Sequence, residues 1–150
     1  MALLTGKMQT RVLILCTGNS CRSQMAEGYL RHFGKGKLDC YSAGIEAHGL
    51  NPLAVRVMQE DGVDIRMHSS NKVEEYAGLS FDYVLTVCDQ AAEHCPVFPG
   101  ALQHLHVGFP DPAKAVGTEA EVLASFREVR AQIKGFCEEW AIRLAGGRTQ

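Results

Sequence analysis

The feature that most restricts how this chain can fold is a junction near its start. "RVLIL" at 11–15 is a short run rich in branched apolar residues, as expected of a strand buried on both faces. A glycine-containing loop follows, and then "SQMAEGYLRHF", where Met25, Ala26, Tyr29, Leu30 and Phe33 fall on one helical face. A buried strand feeding a helix through a short loop is the opening unit of an α/β sheet. The rest of the chain repeats the alternation. "KLDCYSAG" reads as a second strand. "NPLAVRVMQEDG" is a helix with Asn51 as N-cap, Pro52 at its first position and Gly62 past its end. "FDYVLTVC" (81–88) and "LQHLHV" (102–107) are further strands. The last helix opens with the capping box Thr118-x-x-Glu121 and carries Val122, Phe126, Val129, Ile133, Phe136, Trp140 and Leu144 at helical spacing. The expected architecture is a three-layer α/β domain around a mainly parallel sheet.

With 150 residues, the chain is expected to form a single domain over 11–150, preceded by a flexible extension at 1–10 in which Met8 is an alternative start to Met1. The net charge of −2 argues against nucleic acid or an acidic membrane surface as partner. The opening "MALLTGKM" is too short an apolar run for a signal peptide, and no later stretch approaches a membrane span. A cytoplasmic protein, a monomer by its size and charge, is expected. Its six cysteines should then be reduced thiols, available for catalysis, redox chemistry or packing.

A cysteine, five residues and an arginine occur twice, at "CTGNSCR" (16–22) and "CEEWAIR" (137–143). Spacing alone is weak, so context decides. Cys137 sits in mid-helix beside Glu138 and Glu139, which would raise a thiol pKa and repel an anion. Cys16 ends a strand, where open α/β sheets bind ligands. Thr17, Gly18, Asn19, Ser20 and Cys21 can curl so that successive N–H groups form an anion nest, with a helix N-terminus beside it. Arg22 offers a bidentate grip on a tetrahedral oxyanion. Together these should depress the Cys16 pKa into the range of roughly 3.5–7.5. Ser23 could stabilise the thiolate by a hydrogen bond. Cys21, Cys40 and Cys137 read as packing thiols, and His94, His104 and His106 as structural or exposed histidines.

"VLILCTGNSCRSQMAEG" resembles the phosphate-binding loop of the low-molecular-weight tyrosine phosphatase fold, and more closely that of thioredoxin-coupled arsenate reductases, which share it. "YSAGIEAHGLNP" and "GFPDPA" are similar to the reductases as well, so the resemblance runs from about Arg11 through the last helix. It implies a central four-stranded parallel sheet flanked by helices, arsenate as substrate, and Asp111 as general acid on a proline-bracketed loop. It also implies roles for Cys88 and Cys95 in "TVCDQAAEHCP". In that relay Cys16 attacks arsenate, Cys88 attacks Cys16 to release arsenite through a Cys16–Cys88 intermediate, and Cys95 completes a Cys88–Cys95 disulfide for thioredoxin to reduce. A regular helix over 89–95 would hold those two residues about 10.5 Å apart along the axis. A disulfide needs Cα atoms within roughly 7 Å, so pairing requires the segment to depart from a helix.

Tyrosine phosphatases of this fold usually follow the Asp-Pro with an aromatic wall; here Ala113 follows, which suits a small oxyanion. The alternatives are a low-molecular-weight phosphatase and a thiol redox sensor without turnover. No tightly bound cofactor is expected. Some reductases hold potassium near the loop, at positions matching Asn19, Glu27, Ser42 and Ser69. Asn71 stands where that pattern has an aspartate, which weakens an oxygen cage for a hard cation.

Overall fold

A computed structural model describes residues 9–89 and 93–146. Four strands, β1 (Thr10–Cys16), β2 (Leu38–Gly44), β3 (Phe81–Thr86) and β4 (Ala101–His106), form one sheet in the order β2-β1-β3-β4, and every pairing is parallel. Three α-helices accompany it: α1 (Arg22–Gly34), α2 (Pro52–Glu60) and α3 (Glu119–Gly146). The central four-stranded parallel sheet flanked by helices is the expected one. Its first strand takes in Thr10, one residue of the segment read as an extension, because Thr10 pairs with Leu38. The two candidate starts, Met1 and Met8, lie outside the described residues.

β1 is apolar without alternation because both its faces are covered. Val12 and Ile14 join the larger core with residues of α1, α2 and α3. Leu13 and Leu15 face a second cluster with Ala43, Phe81, Val84 and Phe98. That second face is closed by Val73 and Tyr76 of a 3-10 turn (Val73–Tyr76). β4 is the outer strand and largely exposed, as its Gln and two His suggest. His104 bonds the Phe98 carbonyl and His106 the Thr86 hydroxyl, so both have structural partners.

α1 is more deeply buried than its five-residue stripe implies. Gln24, Glu27 and Gly28 are buried too. The segment after α2 packs so closely that a Cβ on Gly28 would lie 2.8 Å from Ile65 Cγ2. Periodicity cannot show that a loop covers the polar side of a helix.

Helix ends follow their signals. The Asn51 side chain accepts from the N–H groups of Leu53 (2.8 Å) and Ala54 (3.4 Å), with Pro52 at the first helical position. Thr118 and Glu121 exchange reciprocal bonds of 2.8 and 3.1 Å. Asn51→Ala should cost about 1 kcal/mol, read as a lower midpoint with unchanged slope in urea unfolding.

β1 lies between β2 and β3, so the connections leaving β1 and β3 run in opposite directions. The carboxyl ends of those two strands flank the crevice where α/β sheets bind ligands.

Candidate active site

Leu15 pairs with Thr86 as the last matched residues of β1 and β3, so Cys16 and Cys88 leave the sheet at the same edge. β3 ends at Thr86, two residues before the strand read from sequence. Bonding nevertheless continues: the Val87 N–H donates to the Leu15 carbonyl, and the Phe109 N–H donates to the Val87 carbonyl. The loop carrying Asp111 is therefore tied to the exit of β3. It is also tied to Arg22, which donates to the Phe109 carbonyl at 3.2 Å. Three loops converge on one cleft of about 250 Å³, lined by residues 16–22 with His48, Glu93, Asp111 and Lys114.

The loop's shape rests on Asn19 more than on Gly18. Asn19 has φ 50°, in the left-handed region that asparagine tolerates. Its side-chain amide donates to the hydroxyls of Ser23 (2.8 Å) and Ser42 (2.9 Å), and its side-chain oxygen accepts from the Asn71 N–H (2.7 Å). Asn19 thus pins the loop to α1, to β2 and to the segment at 71. A Cβ on Gly18 would lie 2.5 Å from His48 Nδ1, so the exposed His48 ring would have to turn aside. Among the described residues, the N–H groups of Gly18, Asn19, Ser20 and Cys21 find no acceptor. Those free donors beside the start of α1 make an anion seat.

A carboxylate that the sequence reading did not single out faces this seat. Arg22 holds Glu93 through both guanidinium nitrogens, at 2.5 and 3.0 Å, and the Thr17 hydroxyl donates to the same carboxylate at 2.6 Å. The Arg22 and Glu93 side chains are only 4% and 9% exposed. The Arg22 guanidinium, the largest influence, holds the Glu93 carboxyl down at about 2. Asp111 lies 3.5 Å from Arg22 Nη2, a nitrogen that also holds Glu93, with its carboxylate accepting from the Ala113 N–H at 3.0 Å. The signal for Glu93 in the sequence was only its place between the two cysteines.

Cys88 and Cys95 are joined by a disulfide with Cα atoms 6.0 Å apart, inside the limit that a regular helix would exceed. Cys88 is fully buried in the main core and Cys95 packs against it. His94, beside Cys95, is exposed and not helical.

Two expectations about Cys16 need correction. Its thiol is pushed up to about 11 rather than depressed. Burial is the main cause, and Glu93 and Asp111 add to it, outweighing the lowering by Arg22 and the Thr17 N–H. Burial of the sulfur, which the cationic loop alone does not reveal, sets the sign of the shift. Ser23 is also turned to Asn19, from which its hydroxyl accepts, rather than to the sulfur. In this disulfide form, the thiol is neutral below about pH 11. Cys16 alkylation by iodoacetamide should then rise about tenfold per pH unit between about pH 7 and 10, followed by peptide mass spectrometry. A rate that levels off below about pH 8 would contradict this.

The remaining thiols are packed. Cys21 and Cys40 are buried and pushed up to about 12 by that burial. Cys137 is fully buried against the Ala26 carbonyl. Burial, with Cys40 second, raises its thiol, so the acidic neighbours expected to do so are not the cause.

The residues matched to a potassium site do not fit a cation. Glu27 has one oxygen taken by the Ser42 hydroxyl (2.6 Å) and the other by Arg31 (2.9 Å). Asn19 turns its NH₂ group towards Ser42, and Ser69 donates to Asn71. Arg31 already supplies the positive charge that an ion would bring. Among the described residues no group of three or more His, Cys, Asp or Glu side chains could hold a metal ion, and no helix is long and apolar enough to cross a membrane.

A parallel four-stranded sheet with a Cys-x5-Arg loop at its switch point and an Asp-Pro loop opposite defines a class of oxyanion-handling thiol proteins. The chain belongs to the low molecular weight phosphotyrosine protein phosphatase family, whose model matches residues 11–149. Within it, the chain is 49% identical over 122 residues to the arsenate reductase of Halalkalibacterium halodurans, covering 81% of this chain and 88% of that one. It is 46% identical over 135 residues to the arsenate reductase of Bacillus subtilis, covering 89% and 97%. A solved arsenate reductase in its phosphate-binding state superposes with a TM-score of 0.77 at 30% identity, covering 91% of this chain and 99% of that one.

Proposed function

We propose that this chain is an arsenate reductase that passes electrons through three thiols, with thioredoxin as the final reductant, and that it serves arsenic detoxification in the cytoplasm as a monomer. The observation that carries the reading is the common exit of Cys16 and Cys88 from paired strands, with Cys95 bonded to Cys88. A phosphatase needs water after its covalent step and has no use for that pair.

Arg22 and the free amides of the loop hold the arsenate oxygens. The Cys16 sulfur attacks arsenic, Asp111 gives a proton to the departing oxygen, and that oxygen leaves as water. Cys88 then attacks the Cys16 sulfur. A sulfur–sulfur bond forms, the sulfur–arsenic bond breaks, and its electron pair stays on arsenic, which leaves as arsenite. Cys95 attacks Cys88, freeing Cys16 as a thiol and leaving the Cys88–Cys95 disulfide. The two electrons that arsenic gained are those the thiols lost, and a dithiol such as thioredoxin replaces them. Ala113 beside Asp111 leaves the cleft without an aromatic wall, in keeping with a small tetrahedral substrate.

The test is NADPH consumption with arsenate, thioredoxin and thioredoxin reductase. Multiple turnovers with one arsenite per NADPH support the reading. Absence of arsenite while phosphomonoesters are hydrolysed would replace it with a phosphatase, and absence of both would leave an oxyanion-binding redox sensor.

A further inference from the structure

The contact between Arg22 and Glu93 is the planar, two-point grip that a guanidinium makes with an oxyanion. Both oxygens of the Glu93 carboxylate are engaged. One Glu93 oxygen receives the Thr17 hydroxyl and one Arg22 nitrogen. The other receives the second Arg22 nitrogen and the Asp89 N–H at 2.8 Å. The Glu93 N–H in turn donates to the Asp89 carbonyl at 2.9 Å. Asp89 follows Cys88 and Glu93 stands two residues before Cys95, so both adjoin the disulfide. A tetrahedral dianion cannot share the Arg22 fork with a carboxylate, because like charges at that distance repel strongly.

We infer that Glu93 is an internal ligand of the oxyanion seat, placed there when the Cys88–Cys95 disulfide forms, so that the oxidised protein excludes arsenate and phosphate until it is reduced. The inference rests on the reading of residues 16–22 as the oxyanion seat. It adds a residue to the reaction cycle. After arsenite has left, Cys88 is locked in the disulfide and cannot resolve a new Cys16 adduct, so an oxyanion bound then would be unproductive. With Glu93 on Arg22, the arginine fork of the seat is occupied for as long as the resolving thiol is missing.

Linkage makes the effect reciprocal: an anion that binds only the reduced form favours reduction. Each tenfold preference of phosphate for the reduced form raises the potential of the Cys88/Cys95 couple by about 30 mV at saturation.

The experiment is a calorimetric titration with inorganic phosphate. It compares wild type, Glu93→Ala and Glu93→Gln, each reduced and each oxidised to the state with only Cys16, Cys21, Cys40 and Cys137 as free thiols. Cys95→Ser, which cannot form the disulfide, is included. The expected result is binding to the reduced proteins and to Cys95→Ser, and at least about tenfold weaker binding to the oxidised wild type. Oxidised Glu93→Ala should regain most of the reduced affinity, and Glu93→Gln, which keeps the size but loses the charge, a part of it. Equal affinity of the two wild-type forms, or oxidised Glu93→Ala as weak as oxidised wild type, would overturn the inference. Failure of every reduced protein to bind phosphate would overturn the oxyanion seat itself, and this inference with it.

Discussion

Replacement of Cys16 by serine should abolish arsenite formation, with a loss on the order of 10⁴-fold or more. A serine hydroxyl at the same place is a far weaker nucleophile. It also cannot be resolved by Cys88, since no sulfur–sulfur bond can form. The variant should fold normally, because Cys16 is a buried residue of nearly the same volume at the end of β1 and its backbone remains paired with Gly44. Hydrolysis of p-nitrophenyl phosphate should fall equally, since both reactions begin on the same sulfur. Retained arsenite formation in Cys16→Ser would mean that another thiol attacks first. Cys40 and Cys137 are poor candidates, because both are fully buried and neither lines the cleft.

Cys88→Ser should separate the two activities. Thioredoxin-coupled reduction should be lost to the same extent, while p-nitrophenyl phosphate hydrolysis persists within a few fold. Cys88 makes no contact needed to hold an oxyanion; its expected duty begins only once the adduct exists. A serine there buries a hydroxyl in the main core, so a modest stability loss of about 1–3 kcal/mol should accompany it. Equal loss of both activities in a folded variant would place Cys88 in the first chemical step instead.

Much of this fold was legible because the local signals agree with the global one. The branched run at 12–15 is buried on two faces, Asn51 and Pro52 begin α2 where they should, and Thr118 with Glu121 begins α3. Strand ends were less legible. Val87 continues the apolar pattern of β3 but bonds to Leu15 and Phe109 beyond the regular ladder.

The site was legible where residue type and spacing carry the chemistry, in the Cys16 loop and the Asp111 loop. It was not legible where a long-range approach decides. Glu93 is one acidic residue among many until the disulfide and Arg22 place it in the seat, 71 residues away in sequence from the arginine it meets. The sign expected for the Cys16 thiol failed mainly because the sulfur is buried. Local sequence showed the cation and the helix end but neither that burial nor the Glu93 and Asp111 carboxylates that add to it. Ser23 illustrates the point again, since the hydroxyl read as a partner of the sulfur is held by Asn19.

The relay is tested most directly by Cys95→Ser, reduced, freed of reductant and mixed with one equivalent of arsenate. With the last thiol removed, the cycle should stop one step early. About one equivalent of arsenite should be released, and mass spectrometry of the digested protein should find Cys16 bonded to Cys88. Arsenate left unreduced, or arsenite released with Cys16 and Cys88 both still free, would contradict the transfer from one thiol to the next.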